Sequence, residues 1–219
     1  MDYSMDWSVI PQNMESILEG LWLTLQISAL ALLISIPIGI FAGLCRVSRN
    51  RFVSFLATSY IEIIRGVPLL VLLLWIYFVL NKFMHLGSYW SAILGLAFFS
   101  GSFIAEIVRA GIESVPRGQM EAARSAGMSY ATAMRLIILP QAFRKVLPPM
   151  ASQFIILIKD SSLVSIISVA DLTLVGKNIV GNTFRSLEVW SFIAILYFLM
   201  TFIISQLIRF LEKKYKVAE

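Results

Sequence analysis

The side chains best placed to bind something are those sitting where charge is expensive. Glu62 with Arg65, then Glu106, then Lys159 with Asp160 all fall inside or just within long apolar runs. An ionised group at a bilayer centre costs on the order of 2.5 to 3.5 kcal/mol on insertion scales, so each is expected to face a bundle interior or a wet cavity. Glu62 and Arg65 are three apart, which lets them neutralise each other on one helix face. Gly66 and Pro68 follow directly, and a helix break there would instead free backbone donors and acceptors at membrane depth. Lys159 and Asp160 are consecutive, so on a helix they point about 100° apart and cannot satisfy one another well. Asp160, beside Ser161 and Ser162, is the better candidate for a ligand-facing acceptor, leaving Lys159 to pair with Glu62 or with a neighbouring chain. Glu106, three before Arg109, reads as half of a helix-surface pair. Such a set holds a small polar ligand without covalent chemistry: a planar fork of donors at Arg65, acceptors at Glu62 and Asp160.

Bond-breaking chemistry has little to work with. There is no G-x-x-x-x-G-K-[ST] phosphate loop, and Gly176-Lys177-Asn178 lacks both the upstream glycine and the hydroxyl residue. No nucleophile elbow and no H-E-x-x-H occurs, and the one histidine, His85, falls in a polar connection. The single cysteine, Cys45, has no disulfide or metal partner in the sequence and reads as packing. The chain is therefore expected not to be an enzyme, with no catalytic residues, no metal and no cofactor of its own.

The elements that must position these residues are membrane helices. The chain is 58% hydrophobic and 14% charged with mean hydropathy +0.83, against roughly 45–50% apolar and 25% charged for a soluble domain. Apolar segments at about 21–45, 52–80, 90–108, 146–169 and 189–210 are each long enough to cross a bilayer. One all-α domain over 1–219 with five spans is the economical reading. Pro37 and Pro68 lie inside spans and predict kinks or breaks; Ala97 and Gly101 permit close helix approach in the third. Trp22, Trp75, Tyr89, Trp90, Trp190 and Tyr197 read as headgroup-level anchors.

Charge orients the spans. Arg46, Arg49 and Arg51 follow the first span; Arg109, Arg117, Arg124, Arg135, Arg144 and Lys145 follow the third; Arg209, Lys213, Lys214 and Lys216 end the chain. The alternate connections hold only Lys82, Lys177 and Arg185. The positive-inside rule then places the N-terminus outside and the C-terminus in the cytoplasm, as an odd number of crossings requires. The stretch 1–19 carries Asp2, Asp6, Glu15 and Glu19 and no Lys or Arg, unlike a signal peptide, so the first span is expected to be retained. The net charge of +5 comes without any aromatic-basic motif, which disfavours nucleic acid as a partner.

The long connection at about 109–145 carries the most specific pattern. It reads Gln119-Met120-Glu121-Ala122-Ala123-Arg124-Ser125-Ala126-Gly127 and, nine residues on, Ile137-Ile138-Leu139-Pro140. Glu121 to Ala126 is a short helical turn that Gly127 can stop by taking a left-handed conformation. Ser129 can cap a second, amphipathic helix along the membrane surface, with Met134, Ile137 and Ile138 on its apolar side and Pro140 at its end.

At this spacing the segment resembles the EAA loop of importer permeases of the ATP-binding cassette class. Ile64-Arg65-Gly66-Val67-Pro68-Leu69-Leu70 and Lys159-Asp160-Ser161-Ser162-Leu163 resemble segments of the polar amino acid branch, which serves histidine, arginine and glutamine among others. The resemblance implies a five-helix core in a bacterial inner membrane and ATP with magnesium bound on a partner. The partners it implies are two ATPase subunits that receive the turn, a second permease subunit and an extracytoplasmic amino-acid-binding protein. The coupling residues would be Glu121, Ala122, Ala123, Gly127 and Pro140. A chain holding one full loop and one full set of site residues can pair with itself, so a homodimer is expected. An amino acid ligand would place its carboxylate on Arg65 and its positive groups on Glu62 and Asp160, near Ser161 and Ser162. Two acids against one available base tilt the expected ligand toward arginine, lysine or histidine, with glutamine or cystine as the alternative. A proton-coupled secondary transporter is the more distant one, disfavoured because no internal repeat is apparent.

Overall fold

The computed structural model describes residues 4–215, and all its regular elements there are helical. Asp2 and Lys216, which entered the charge pattern, lie outside the described residues, as do the two ends of the 1–219 domain. In chain order the helices are α1 (Val9–Gln12), α2 (Met14–Arg46), α3 (Arg51–Gly66), α4 (Leu69–Trp75), α5 (Asn81–Met84) and α6 (Gly87–Glu113). There follow α7 (Arg117–Ser125), α8 (Tyr130–Ala133), α9 (Leu139–Asp160), α10 (Leu172–Thr183) and α11 (Ser186–Tyr215). Five candidate spans result: Met14–Arg46, the broken pair Arg51–Gly66 and Leu69–Met84, Gly87–Glu113, Tyr130–Ile167 and Ser186–Phe210. Each contains or closely matches an apolar run of the sequence. The first and fourth begin earlier than hydropathy alone suggests, because polar residues continue the same helix.

The prolines behave differently from one another. Pro68 breaks the second span: Val67 (φ −102°, ψ 133°) and Pro68 (φ −57°, ψ 137°) are both extended, as the residue before a proline prefers. Pro37 does not break α2, which runs on as helix for 33 residues. Pro140 also fails to end its helix. A wide π turn at Met134–Ile138 precedes it, and the helix then continues into α9 through Pro148 and Pro149. A π turn shifts the carbonyl on which the proline ring would press, so it takes up the missing donor without a break. The expected surface helix and the fourth span are thus one helical run.

Two compact units make up the fold. One takes the chain up to Leu32, then Pro68–Leu96, and the chain from Phe154 onward. Its core gathers Ile17, Ile158, Leu172, Ile179, Val189 and Ile193, with Val9 and Ile10 of α1 buried in the same cluster. The other comprises Leu33–Val67 and Ala97–Gln153, with a core of Ile104, Val108, Ile112, Val115, Ile138, Ala142 and Val146.

Close approach governs the second unit. A Cβ on Gly39 would lie 2.4 Å from Ile104 Cγ2 and 2.8 Å from the Gly101 carbonyl, and one on Gly43 would lie 2.7 Å from the Ala105 carbonyl. Gly39 and Gly43, four apart on α2, therefore let its backbone touch that of α6, the small-residue contact that replaces hydrophobic driving force in lipid. Tyr60 on α3 joins them, its hydroxyl donating to the Phe98 carbonyl at 2.8 Å. The sequence pointed to Gly101; its partners on α2 went unread.

Gly43→Val is expected to force α2 from α6 and destabilise the detergent-solubilised protein by about 1–3 kcal/mol or more, the usual cost of overpacking. Gly181→Ala, where nothing lies within 4 Å of the added methyl, should leave the thermal midpoint unchanged or slightly raised. Equal midpoints for the two variants would refute the tight α2–α6 contact.

Candidate functional site

The α2–α6 contact delivers Arg46, three residues past Gly43, to Glu106 on the facing helix. Glu106 does pair with Arg109, as the spacing suggested, through Nε at 3.3 and 3.4 Å and Nη2 at 3.1 Å. It is also the centre of a wider set. Arg46 donates to its Oε1, and Arg65 Nη1 reaches its Oε2 at 3.5 Å. Arg46 in turn meets Glu62 at 3.5 Å, and Arg109 also pairs with Glu113. Three arginines and three glutamates from α2, α3 and α6 thus balance to zero, as charges inside or at the edge of spans must.

Of the two sequence readings of Glu62 and Arg65, mutual pairing is not the one seen. Glu62 turns to Arg46 and Arg65 to Glu106. Both remain partly open: the Glu62 side chain is 67% exposed and that of Arg65 39%. Phe103 lies under the Arg65 guanidinium, ring centre to Cζ 5.1 Å, within cation–π range.

The first unit contains the other site residues. Lys159 and Asp160 do not sit in the middle of a regular helix; α9 ends at Asp160 and tightens into a 3-10 segment, Ser161–Ile167. Serines write this change. Ser161 donates to the Ile158 carbonyl at 2.8 Å, Ser162 to Lys159 at 2.7 Å and Ser165 to Ser162 at 2.8 Å, each three residues back. Such bonds compete with α-helical geometry, and a 3-10 stretch within a span often marks a functional place. Ser161 is buried, Asp160 and Ser162 are half-buried, and Lys159 is exposed. None of the ion pairs among the described residues includes Lys159 or Asp160. With every serine proton spent on a carbonyl, the hydroxyl oxygens are left as acceptors.

Residues that the sequence did not single out as site candidates fix the start of α10. Asp171 caps this helix by accepting from Thr173 N at 3.2 Å and Leu174 N at 2.9 Å. Burial pushes its carboxyl above the usual range, against the pull of those donors. Tyr197, read as a headgroup anchor, is instead an interior partner: its hydroxyl lies 2.9 Å from Thr173 Oγ1 and donates to Asp171 at 3.3 Å. Thr24 on α2 accepts from Leu172 N at 3.0 Å. An acid immediately before a helix-forming run is an N-cap signal, so Asp171 was findable; Thr24 and Tyr197 were not, being far apart in sequence.

The connecting loop has the predicted turn. α7 ends in the closure a left-handed glycine permits: Gly127 has φ +85°, its N–H reaches the Arg124 carbonyl at 3.1 Å, and Met128 N reaches Ala123 at 3.1 Å. Ser129 caps α8 by accepting from Thr132 N at 3.1 Å. Met120 and Ala123 pack inward, while Glu121, Ala122, Gly127 and Pro140 are exposed. Arg49 stacks on the Tyr130 ring at 3.8 Å, tying the first connection to this one.

Residues 35–217 match the model of the binding-protein-dependent transport system inner membrane components. The chain belongs to this family. It is 38% identical over 215 residues to the glutamine transport system permease protein of Escherichia coli (strain K12), covering 97% of this chain and 98% of that one. It is 31% identical to the arginine transport system permease protein of Bacillus subtilis (strain 168), covering 97% and 98%. Among solved structures, one titled as an amino acid ABC transporter with histidines superposes with TM-score 0.90 at 39% identity, covering 97% of this chain and 100% of that one. The permease is thus a multi-pass inner-membrane component of an ATP-binding cassette importer for amino acids, working with a binding protein and a separate ATPase. Among the described residues no three His, Cys, Asp or Glu side chains group as a metal would need.

Asp171→Ala is expected to destabilise the permease by about 1–2 kcal/mol, the range for a lost N-cap, and Asp171→Asn, which keeps an acceptor, by less. Thermal midpoints of the two variants check this; equal midpoints would mean the cap contributes nothing.

Proposed function

We propose that this permease translocates polar amino acids whose side chains donate hydrogen bonds, first among them arginine, lysine and histidine. The observation that supports this reading is the acceptor-rich end of α9, where Asp160 has no ion pair among the described residues and Ser162 spends its proton on a carbonyl. Asp160 takes a positive group of the ligand, Ser162 adds an acceptor, and buried Ser161 shapes the turn behind them. Within the second unit, Arg65 offers a carboxylate the edge it does not give to Glu106, and Glu62 adds an acceptor on the same helix. Glutamine is the second reading, and a specific observation favours it: Glu62 faces Arg46 at 3.5 Å. That leaves less acidic charge for a cationic side chain than the sequence suggested.

Two copies of the chain form the pathway in this reading, with two ATPase subunits that bind ATP and magnesium; the permease holds no cofactor. Glu121 and Ala122 on the exposed face of α7 couple them, with Ala123 anchoring the helix from beneath, Gly127 closing its end and Pro140 following on α9, and membrane lipid surrounds the spans over a single domain. The N-terminus lies outside and the C-terminus in the cytoplasm.

Reconstitution of the permease with its ATPase and binding protein in liposomes tests the reading. ATP-dependent uptake is expected for arginine, histidine or glutamine in preference to glutamate, with Asp160→Asn weakening a cationic ligand more than glutamine. A preference for glutamate, or uptake driven by an ion gradient without ATP, would overturn it. Gly127→Val, at a position held at φ +85°, should abolish ATP-driven uptake at unchanged expression; near-normal uptake would remove the loop from the coupling role.

Orientation is checked by labelling in a Cys45→Ala background. A membrane-impermeant thiol reagent applied outside should modify Ser88→Cys and spare Ser125→Cys, and the reverse pattern would invert the topology.

A further inference from the structure

Glu106 receives more cation than one carboxylate requires. Arg46 and Arg109 alone occupy both of its oxygens, yet Arg65 is drawn to Oε2 as well. The three arginines are not equivalent. Arg46 is 19% exposed, Arg109 29% and Arg65 39%. Arg65 also makes the longest of the contacts, at 3.5 Å, and that contact does not reach ordinary hydrogen-bond length.

We propose that Glu106 is an internal stand-in for the ligand carboxylate, holding Arg65 while the site is empty and giving it up when an amino acid arrives. The proposal rests on the reading that Arg65 binds that carboxylate. The exchange is close to balanced, because Arg65 trades one carboxylate for another and Glu106 keeps two guanidiniums. Arg46 could not leave in the same way: it is the least exposed of the three and also holds Glu62. Phe103, 5.1 Å under the guanidinium, offers Arg65 an attraction that does not depend on Glu106. The position of Arg65 gives the exchange a consequence. It lies one residue before Gly66, where α3 ends, so release from Glu106 frees the last turn of α3 from α6 at the break in the second span. Glu106 is therefore a positioning residue: it competes with the ligand and touches it only through Arg65.

The test is equilibrium binding of L-arginine and L-glutamine to the purified permease–ATPase complex without binding protein, so that only the membrane site is read. Removing the competitor should tighten binding. Glu106→Gln is expected to lower Kd about 5-fold or more, the lower end of typical coupling between groups that share a partner, and to raise ATP hydrolysis in the absence of ligand. Glu106→Asp keeps the charge that Arg46 and Arg109 need but shortens the reach to Arg65; it should lower Kd in the same direction by a smaller factor, and it decides the matter if the Gln variant does not fold. Agmatine, which has arginine's side chain and no carboxylate, should bind with unchanged Kd in both variants. A purely structural role for Glu106 would weaken binding of all three compounds together, and that result, or an unchanged Kd for arginine and glutamine, overturns the proposal. Arg65→Ala separates the two layers of inference. If it leaves the Kd of both amino acids unchanged, or if neither binds the unaltered complex, Arg65 is not the carboxylate group and the underlying reading fails. If it weakens both while the Glu106 variants do not tighten them, only the exchange fails.

Discussion

A carboxylate shared by three guanidiniums is the interaction on which the second unit is built. In lipid, apolar packing between helices supplies little net drive, whereas an uncompensated charge is costly enough to expel a helix or turn it. Glu106 converts that penalty into a specification. Arg46, Arg65 and Arg109 reach it only if α2, α3 and α6 approach at one rotation and one depth. The backbone contact at Gly39 and Gly43 makes the approach possible, and the Tyr60 bond to Phe98 sets α3 beside it. A partly buried ionic set of this kind is poor evidence for stability as such, because desolvation and solvent screening take back much of the Coulombic gain. Its value lies in excluding other arrangements of the same three apolar helices.

The first unit solves its polar problems with hydroxyls and caps. Three serines in the 3-10 segment donate to carbonyls within their own turn, so three carbonyls have a donor where the chain leaves α-helical geometry beside Asp160. Asp171, Tyr197, Thr173 and Thr24 then fix the start of α10 through a network of neutral donors around one buried carboxyl. Nearer the N-terminus Glu188, at the head of α11, accepts from Asp6 N at 2.7 Å and lies 3.9 Å from Arg185. The two units thus meet the same need differently: a cluster of ion pairs centred on Glu106 in one, and in the other chiefly hydrogen bonds to the buried acids Asp171 and Glu188, with Arg185 beside the latter.

Much of this was legible in the residues. Five apolar runs, the break at Pro68, the left-handed Gly127 and the capping Ser129 each follow from a local rule that no distant contact overrides. Proline was the place where local rules were insufficient. Whether a proline kinks, ends or continues a helix depends on whether neighbouring carbonyls can be re-aimed, and the π turn before Pro140 does this with residues that carry no mark in the sequence. Partners were the other gap. That Glu106 and Arg109 pair could be counted off on one helix, but Arg46 is 60 residues from Glu106, and nothing short of the fold brings them together. The spacing rule therefore found the one contact of Glu106 that lies within its own helix and missed the two that tie helices to each other. Tyr197 failed for the same reason, since an aromatic ring in a span has the same sequence appearance whether it faces lipid or Asp171.

The turn after α7 closes its own carbonyls through Gly127 and Met128, and Met120 and Ala123 anchor it from beneath. Its outward face therefore has its shape before anything touches it. A partner that seats there does not have to order a loose segment, so the association forgoes the conformational entropy loss that a folding-on-binding peptide would incur. In the coupling role proposed for it, the same face would be engaged and released without the chain having to refold between cycles.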